Sequence, residues 1–168
     1  QAEAVFSRIA AAYERLAAMT RTVQQQPTVF VNAPYNGNWW TPGGKGYLAA
    51  FLRDAGARYL WAETESSGST PRDFEAVYER AADADFWLNP SRWNSLADGL
   101  KADERFAQFK AFQQGKVFNN NARVNEHGGN DYWESGLASP HIILADLIKI
   151  FHPDLLPEHE FVYYHQLK

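Results

Sequence analysis

Apolar residues recur at steps of three and four along the opening stretch, where Phe6, Ile9, Tyr13 and Leu16 form one stripe widened by Val5, Ala12 and Met19. That spacing predicts a helix from residue 2 to about 22, and its many alanines favour it. Pro27 stops any continuation. Thr28-Val29-Phe30-Val31 is a short β-branched, apolar run of the kind that forms a buried strand.

Helical and strand-like patterns then alternate. A polar loop over 34–44 leads to a helix through Tyr47-Leu48-Ala49-Ala50-Phe51-Leu52, with Gly56 as its stop. Arg58–Ala62 reads as a second strand, 68–71 as a loop and helix start, and Phe74–Ala82 as the helix. Ala84–Leu88 is the third strand, broken by Asn89-Pro90. Short helices over roughly 94–113 precede Gly115 and a fourth strand, Lys116–Asn119. A polar loop over 120–136 comes before an amphipathic helix carrying Ile142, Ile143, Leu147, Ile148 and Phe151, which Pro153 ends. Phe161–Tyr164 is expected as a last strand or extended segment.

Strands separated by helical stretches imply an α/β fold: a three-layer, Rossmann-like arrangement with a mainly parallel sheet covered on both faces. In such sheets the ligand crevice lies beyond the carboxyl ends of the strands. The loops that should build a site are therefore 34–44, 62–70, 89–95 and 119–136.

Composition narrows the chemistry. The chain of 168 residues is 45% hydrophobic and 21% charged, as in ordinary globular domains, with a net charge of −4. That balance lacks the basic footprint of a nucleic-acid binder. No apolar run approaches the length of a membrane span. Cysteine is absent, which excludes disulfides, thiolate metal sites and cysteine nucleophiles. The sequence starts at Gln1 in a helical pattern with no capping residue ahead, so it is expected to be cut from a longer protein within or near a helix.

Most catalytic motifs fail on spacing. Gly43-Gly44-Lys45-Gly46 suggests a phosphate loop, but the position where such a loop needs its first glycine is Trp39, and no Ser or Thr follows Lys45. A turn and helix start accounts for it better. The five histidines, at 127, 141, 152, 159 and 165, form no zinc-protease pattern, and only His127 falls in a crevice loop. Glu63 and Glu65 offer a carboxylate pair for acid–base work, or simply two solvated acids. Neither a catalytic set nor a cofactor fingerprint emerges.

The aromatic loops are the stronger signal. Tyr35, Trp39 and Trp40 follow the first strand among asparagines, Arg92 and Trp93 follow the third, and Arg123 follows the fourth. Flat aromatic faces with a few cations suit a large, partly apolar, anionic ligand. These six residues are the candidate ligand contacts. An exposed flat row of Trp39, Trp40 and Trp93 would instead indicate a glycan-binding module, and a tuned acid, base or nucleophile in one cleft would indicate an enzyme on the same type of sheet.

Several segments in order carry a resemblance: Asn38-Trp39-Trp40 with Gly43-Gly44, Asp54-Ala55-Gly56-Ala57, Ala84 through Asn89, Phe109-Lys110-Ala111 leading to Gly115–Phe118, and Asp131 through Gly136 followed by Leu144–Pro153. With them, the chain resembles the C-terminal part of the periplasmic substrate-binding proteins of ABC importers for ferric siderophores, haem and cobalamin, whose two lobes are joined by one long helix. The resemblance implies that residues 1–24 belong to the interlobe helix and 25–168 to the C-terminal lobe. It further implies an iron-chelate or corrinoid ligand held between two walls, no catalysis and no resident cofactor. It implies a monomeric receptor in the periplasm, anchored as a lipoprotein when full length, and an ABC permease as partner. The family docks on its permease through a carboxylate opening the helix after the second strand. Glu75 is the best match here and Asp73 the second.

Overall fold

A computed structural model describes residues 2–168. The opening helix, α1, spans Ala2–Thr20, and β1 follows at Thr28–Val31. β2 is Trp39–Pro42, α2 Tyr47–Asp54, β3 Arg58–Tyr59 and β4 Ser69–Arg72. Then come α3 (Phe74–Ala81), β5 (Phe86–Leu88), α4 (Leu96–Ala102) and α5 (Lys110–Gln113), with a 3-10 turn at Glu104–Gln108. β6 (Val117–Asn119), α6 (Ser135–Ala138), α7 (Pro140–Phe151) and β7 (His165–Gln166) complete the chain.

The main sheet has the order β3-β1-β5-β6-β7 and is parallel except for β7. Its central strands are short and buried on both faces, which explains their apolar, unalternating sequences. Successive side chains nonetheless serve different layers. Phe86 meets Phe151 of α7, whereas Trp87 meets Phe109 beside α5. Phe30, paired with Trp87 across β1 and β5, stacks on Trp87 and Phe109 with ring centroids 5.0 and 5.1 Å apart. α1, α2 and α7 pack together on one side, and α4, α5 and the 3-10 turn on the other. This is the α/β arrangement anticipated from the alternation of patterns.

Four local expectations are corrected. The segment 34–44 is not all loop, because Trp39–Pro42 pairs antiparallel with Ser69–Arg72 to form a two-stranded ribbon. Pro42 and Pro71 fit there because each strand of a ribbon keeps an unpaired edge. The second strand stops at Tyr59, where the chain turns and Ala62 N–H donates to Tyr59 O. Residues 161–164 form no strand, because their amides are engaged elsewhere. The buried carboxylate of Asp146 accepts from the backbone N–H of Val162, Tyr163 and Tyr164, as well as from His159 Nε2 at 2.6 Å. The last strand is thereby displaced to His165–Gln166, antiparallel to β6. α1 ends at Thr20, whose hydroxyl donates to Ala17 O and Asp54 O.

The opening helix is not fully enclosed. Tyr13, Leu16 and Ala17 pack on the core, and Tyr13 OH donates to Asp54 Oδ2 at 2.8 Å. Residues 2–8 are exposed, including Phe6 at 71%.

Candidate functional site

The parallel strands all end on one side, and there the chain leaves the sheet abruptly. Asn32 N–H still donates to Leu88 O and Asn89 N–H to Phe118 O, so the ladder runs up to each asparagine. Both then take left-handed backbone conformations, φ 68° at Asn32 and 57° at Asn89. Asparagine adopts this region more readily than other residues with a Cβ. Ser91 follows suit at φ 57°.

The loops launched there surround an open cavity of about 1120 Å³. Its lining comes from Asn32, from Pro42–Leu48, from Ser67–Ser69, from the 89–94 turn and from the 120–133 loop. All four loop regions expected from strand ends thus contribute. Internal hydrogen bonds fix them. Buried Asn119 donates through Nδ2 to Ser91 O and Trp93 O, and Asn121 Nδ2 donates to Asn94 Oδ1. Asn125 Oδ1 accepts from the N–H of His127 and Gly129, and Asn130 Oδ1 from that of Tyr132. On the opposite side Gly44 N–H donates to Thr64 Oγ1, and a Cβ on Gly43 or Gly44 would run into the carbonyls of Ser66 or Ala62. The glycine cluster therefore exists for close backbone approach, as a turn rather than a phosphate cradle.

Of the six candidate ligand contacts, only Arg92 lines the cavity. Trp39 is 1% exposed and donates from Nε1 to Val31 O, while Trp93 packs edge-on against Trp87. Both are core residues, a correction to their expected place on the wall. The reason for Trp39 is the period of two in β2, which turns Trp39 inward and leaves Trp40 40% exposed. Trp40 and Tyr35 are on the surface outside the cavity lining. Arg123 is paired with Asp131 at 3.0 Å and lies over the Tyr163 ring, again outside the lining. No flat row of Trp39, Trp40 and Trp93 exists, so the glycan-module pattern is not met.

Sequence reasoning missed two aromatic contacts. Tyr47 and Trp133 line the cavity and are each 53% exposed. In the sequence Tyr47 reads as part of a helix pattern. Trp133 lay in a loop already singled out for its position, which was the available signal. Beneath them Tyr132 is buried, and burial, reinforced by nearby Tyr47, pushes its phenol pKa upward so that it stays a neutral donor. Burial raises that of Tyr47 as well. Asn89 Oδ1, Tyr132 OH and Tyr164 OH are buried without a hydrogen-bond partner among the described residues. Tyr164 lies near the other two but outside good hydrogen-bond geometry.

The acid–base alternative finds no support in the carboxylates. Glu63 is held below the usual carboxylate range by its own backbone N–H, with Arg80 at 2.5 Å adding to the effect. Glu65 pairs with Lys45. Among the described residues no group of three or more His, Asp or Glu side chains gathers to hold a metal ion.

The expected docking acids differ in how they are used. Asp73 caps α3, accepting from Ala76 N–H at 2.7 Å. Glu75 is exposed and meets only Arg105, at 3.4 Å.

Comparison with known proteins places this geometry in context. The sequence model of the periplasmic binding protein family matches residues 1–123. An uncharacterized lipoprotein of Methanocaldococcus jannaschii is 30% identical over 131 residues, 76% of this chain and 30% of that protein. Among solved structures, the TroA-like periplasmic binding protein FepB from Veillonella parvula superposes with a TM-score of 0.72 at 14% identity, covering 99% of this chain and 56% of that one. CeuE from Helicobacter pylori, solved with Ni(II) bound, gives 0.68 at 14% identity over 95% and 48% of the two chains. An ABC transporter solute-binding protein from Sulfurospirillum deleyianum gives 0.69 at 13% identity over 93% and 47%. The chain thus spans 30% of the lipoprotein and about half of each solved relative.

Proposed function

The chain belongs to the periplasmic binding protein family, and from that premise we propose that it is the C-terminal lobe of an ABC importer's substrate-binding protein, forming one wall of the cleft for an iron chelate, haem or a corrinoid. The observation that carries this reading is the open cavity of about 1120 Å³ at the carboxyl ends of the parallel strands, walled by Tyr47, Trp133 and Arg92. Its volume and its exposed rings suit a large ligand. α1 is the end of the interlobe helix in this reading, and the exposure of Val5 and Phe6 supports it by leaving apolar surface for the other lobe.

The protein works here by binding, not by catalysis, and delivers its ligand to a permease. Glu75 is the docking acid, because the carboxylate of Asp73 is already spent on its helix. Periplasmic location with a lipid anchor fits the family and the description of the M. jannaschii relative as a lipoprotein; no helix among the described residues is long and apolar enough to cross a membrane. The receptor is taken as a monomer. A thermal-shift screen of the full-length protein against ferric chelates, haem and cobalamins tests the reading. A ligand present at about 100 times its Kd stabilises by about 2.7 kcal/mol. Absence of any shift across these classes would sink it.

A further inference from the structure

The charge of the cavity wall is unlike that of the chain. Acidic residues number 20 among 168, yet among the described residues none lines the cavity, and Arg92 is its only permanent cation. In their place stand amides and hydroxyls. The central strands β1, β5 and β6 each run out into asparagine, at Asn32, Asn89 and Asn120, and all three line the cavity. By register Asn32 follows the strand opposite Asn89, whereas Asn120 lies one residue beyond the position opposite Asn89, is buried and accepts at Oδ1 from Asn130 Nδ2. Asn32 spends its Nδ2 on Trp40 O, which leaves its carbonyl as the free end. Asn89 Oδ1 has no partner among the described residues. The phenols of Tyr47 and Tyr132 stay neutral and donate rather than ligate as phenolates.

Resting on the receptor reading above, we infer that this wall recognises an uncharged, amide- or hydroxyl-bearing face of the ligand through its lining amides and hydroxyls, and not a polyanionic face through ion pairs. An anionic chelate would have several charges removed from water with a single guanidinium to offset them. A neutral amide carries both a donor and an acceptor, as the asparagine side chains of the lining do, and exchanges hydrogen bonds with water for hydrogen bonds with the wall without burying a charge.

The test uses the full-length receptor and three probes: an uncharged ferric trihydroxamate chelate, a cobalamin with its amide arms, and a triply anionic ferric tris-catecholate. The uncharged chelate or the cobalamin is expected to bind tightest, with Kd changing less than about threefold between low and high salt, since no strong ion pair is there to be screened. Asn89→Asp retains the shape and the left-handed backbone and is expected to weaken that binding about tenfold, ~1.4 kcal/mol. Asn94→Asp, at an exposed lining position, repeats the measurement without risk to folding. Preference for the tris-catecholate, or unchanged affinity in both variants, overturns the inference and leaves the receptor reading standing. Failure of all three probes to bind overturns the inference, and the receptor reading with it if haem also fails to bind.

Discussion

Two aromatic regions share this chain and do opposite work. Around Trp39, Trp87 and Trp93 the rings touch one another and the indole N–H groups of Trp39 and Trp87 are satisfied by backbone carbonyls, Val31 O at 2.9 Å and Asn32 O at 2.7 Å. Around Tyr47 and Trp133 the rings face open space above a bed of asparagines. The first region fixes where strand β1 ends, because both indoles donate to the carbonyls at its end before the cavity, Val31 O and Asn32 O. The second uses that fixed edge. An aromatic residue beside a loop is therefore as apt to brace a binding wall from behind as to touch what binds there.

Substitution separates the two. Trp39→Ala should cost about 3–5 kcal/mol in denaturant unfolding, as for other buried aromatics, whereas its neighbour Trp40→Ala should stay within about 1 kcal/mol. Equal losses at both would erase the distinction. Asp146→Ala, which strands three backbone N–H groups under the wall, is expected to cost about 3 kcal/mol and to lower hydrogen-exchange protection at 162–164.

Charge sharpens the contrast. At the amino end of the sheet, burial opposes ionisation of Asp85, but the ammonium of Lys110 and the N–H and hydroxyl of Thr28 outweigh it and hold the carboxyl at about 2. Its folded value lies below the unfolded ~3.9, so its contribution is complete above that pH and lost as pH falls from about 4 towards 2. Asp85→Asn should flatten that part of the acid-unfolding profile. Nothing comparable is expected from the neutral wall. Smallest of all, Trp133→Ala should change the stability of the unliganded protein by no more than about 0.5 kcal/mol while weakening ligand capture by the full-length receptor. A large stability loss there would return Trp133 to the core.

Much of this was legible beforehand. Strand–helix alternation gave the parallel sheet, and the strand-end rule located every loop that lines the cavity. The family could be read from the order of segments such as Asp54-Ala55-Gly56-Ala57 and Asp131 through Gly136. The individual contacts were far less legible. Of Tyr35, Trp39, Trp40, Arg92, Trp93 and Arg123, one lines the cavity, and Tyr47, Trp133 and the asparagines of the lining carry no sequence signal that marks them out individually.

The reason is the range over which each feature is decided. Periodicity, glycine stops and proline breaks act within a few residues, and the chain alone therefore determined its element order, its fold class and the side of the sheet where a site forms. Which side chain faces that site depends on pairing partners far away in sequence. Trp39 turns inward because β2 pairs with a strand some thirty residues on. The segment 161–164 is kept from becoming a strand by a carboxylate on α7. Only the folded structure settles such matters, because burial is a property of what comes to rest on a residue and not of the residue itself.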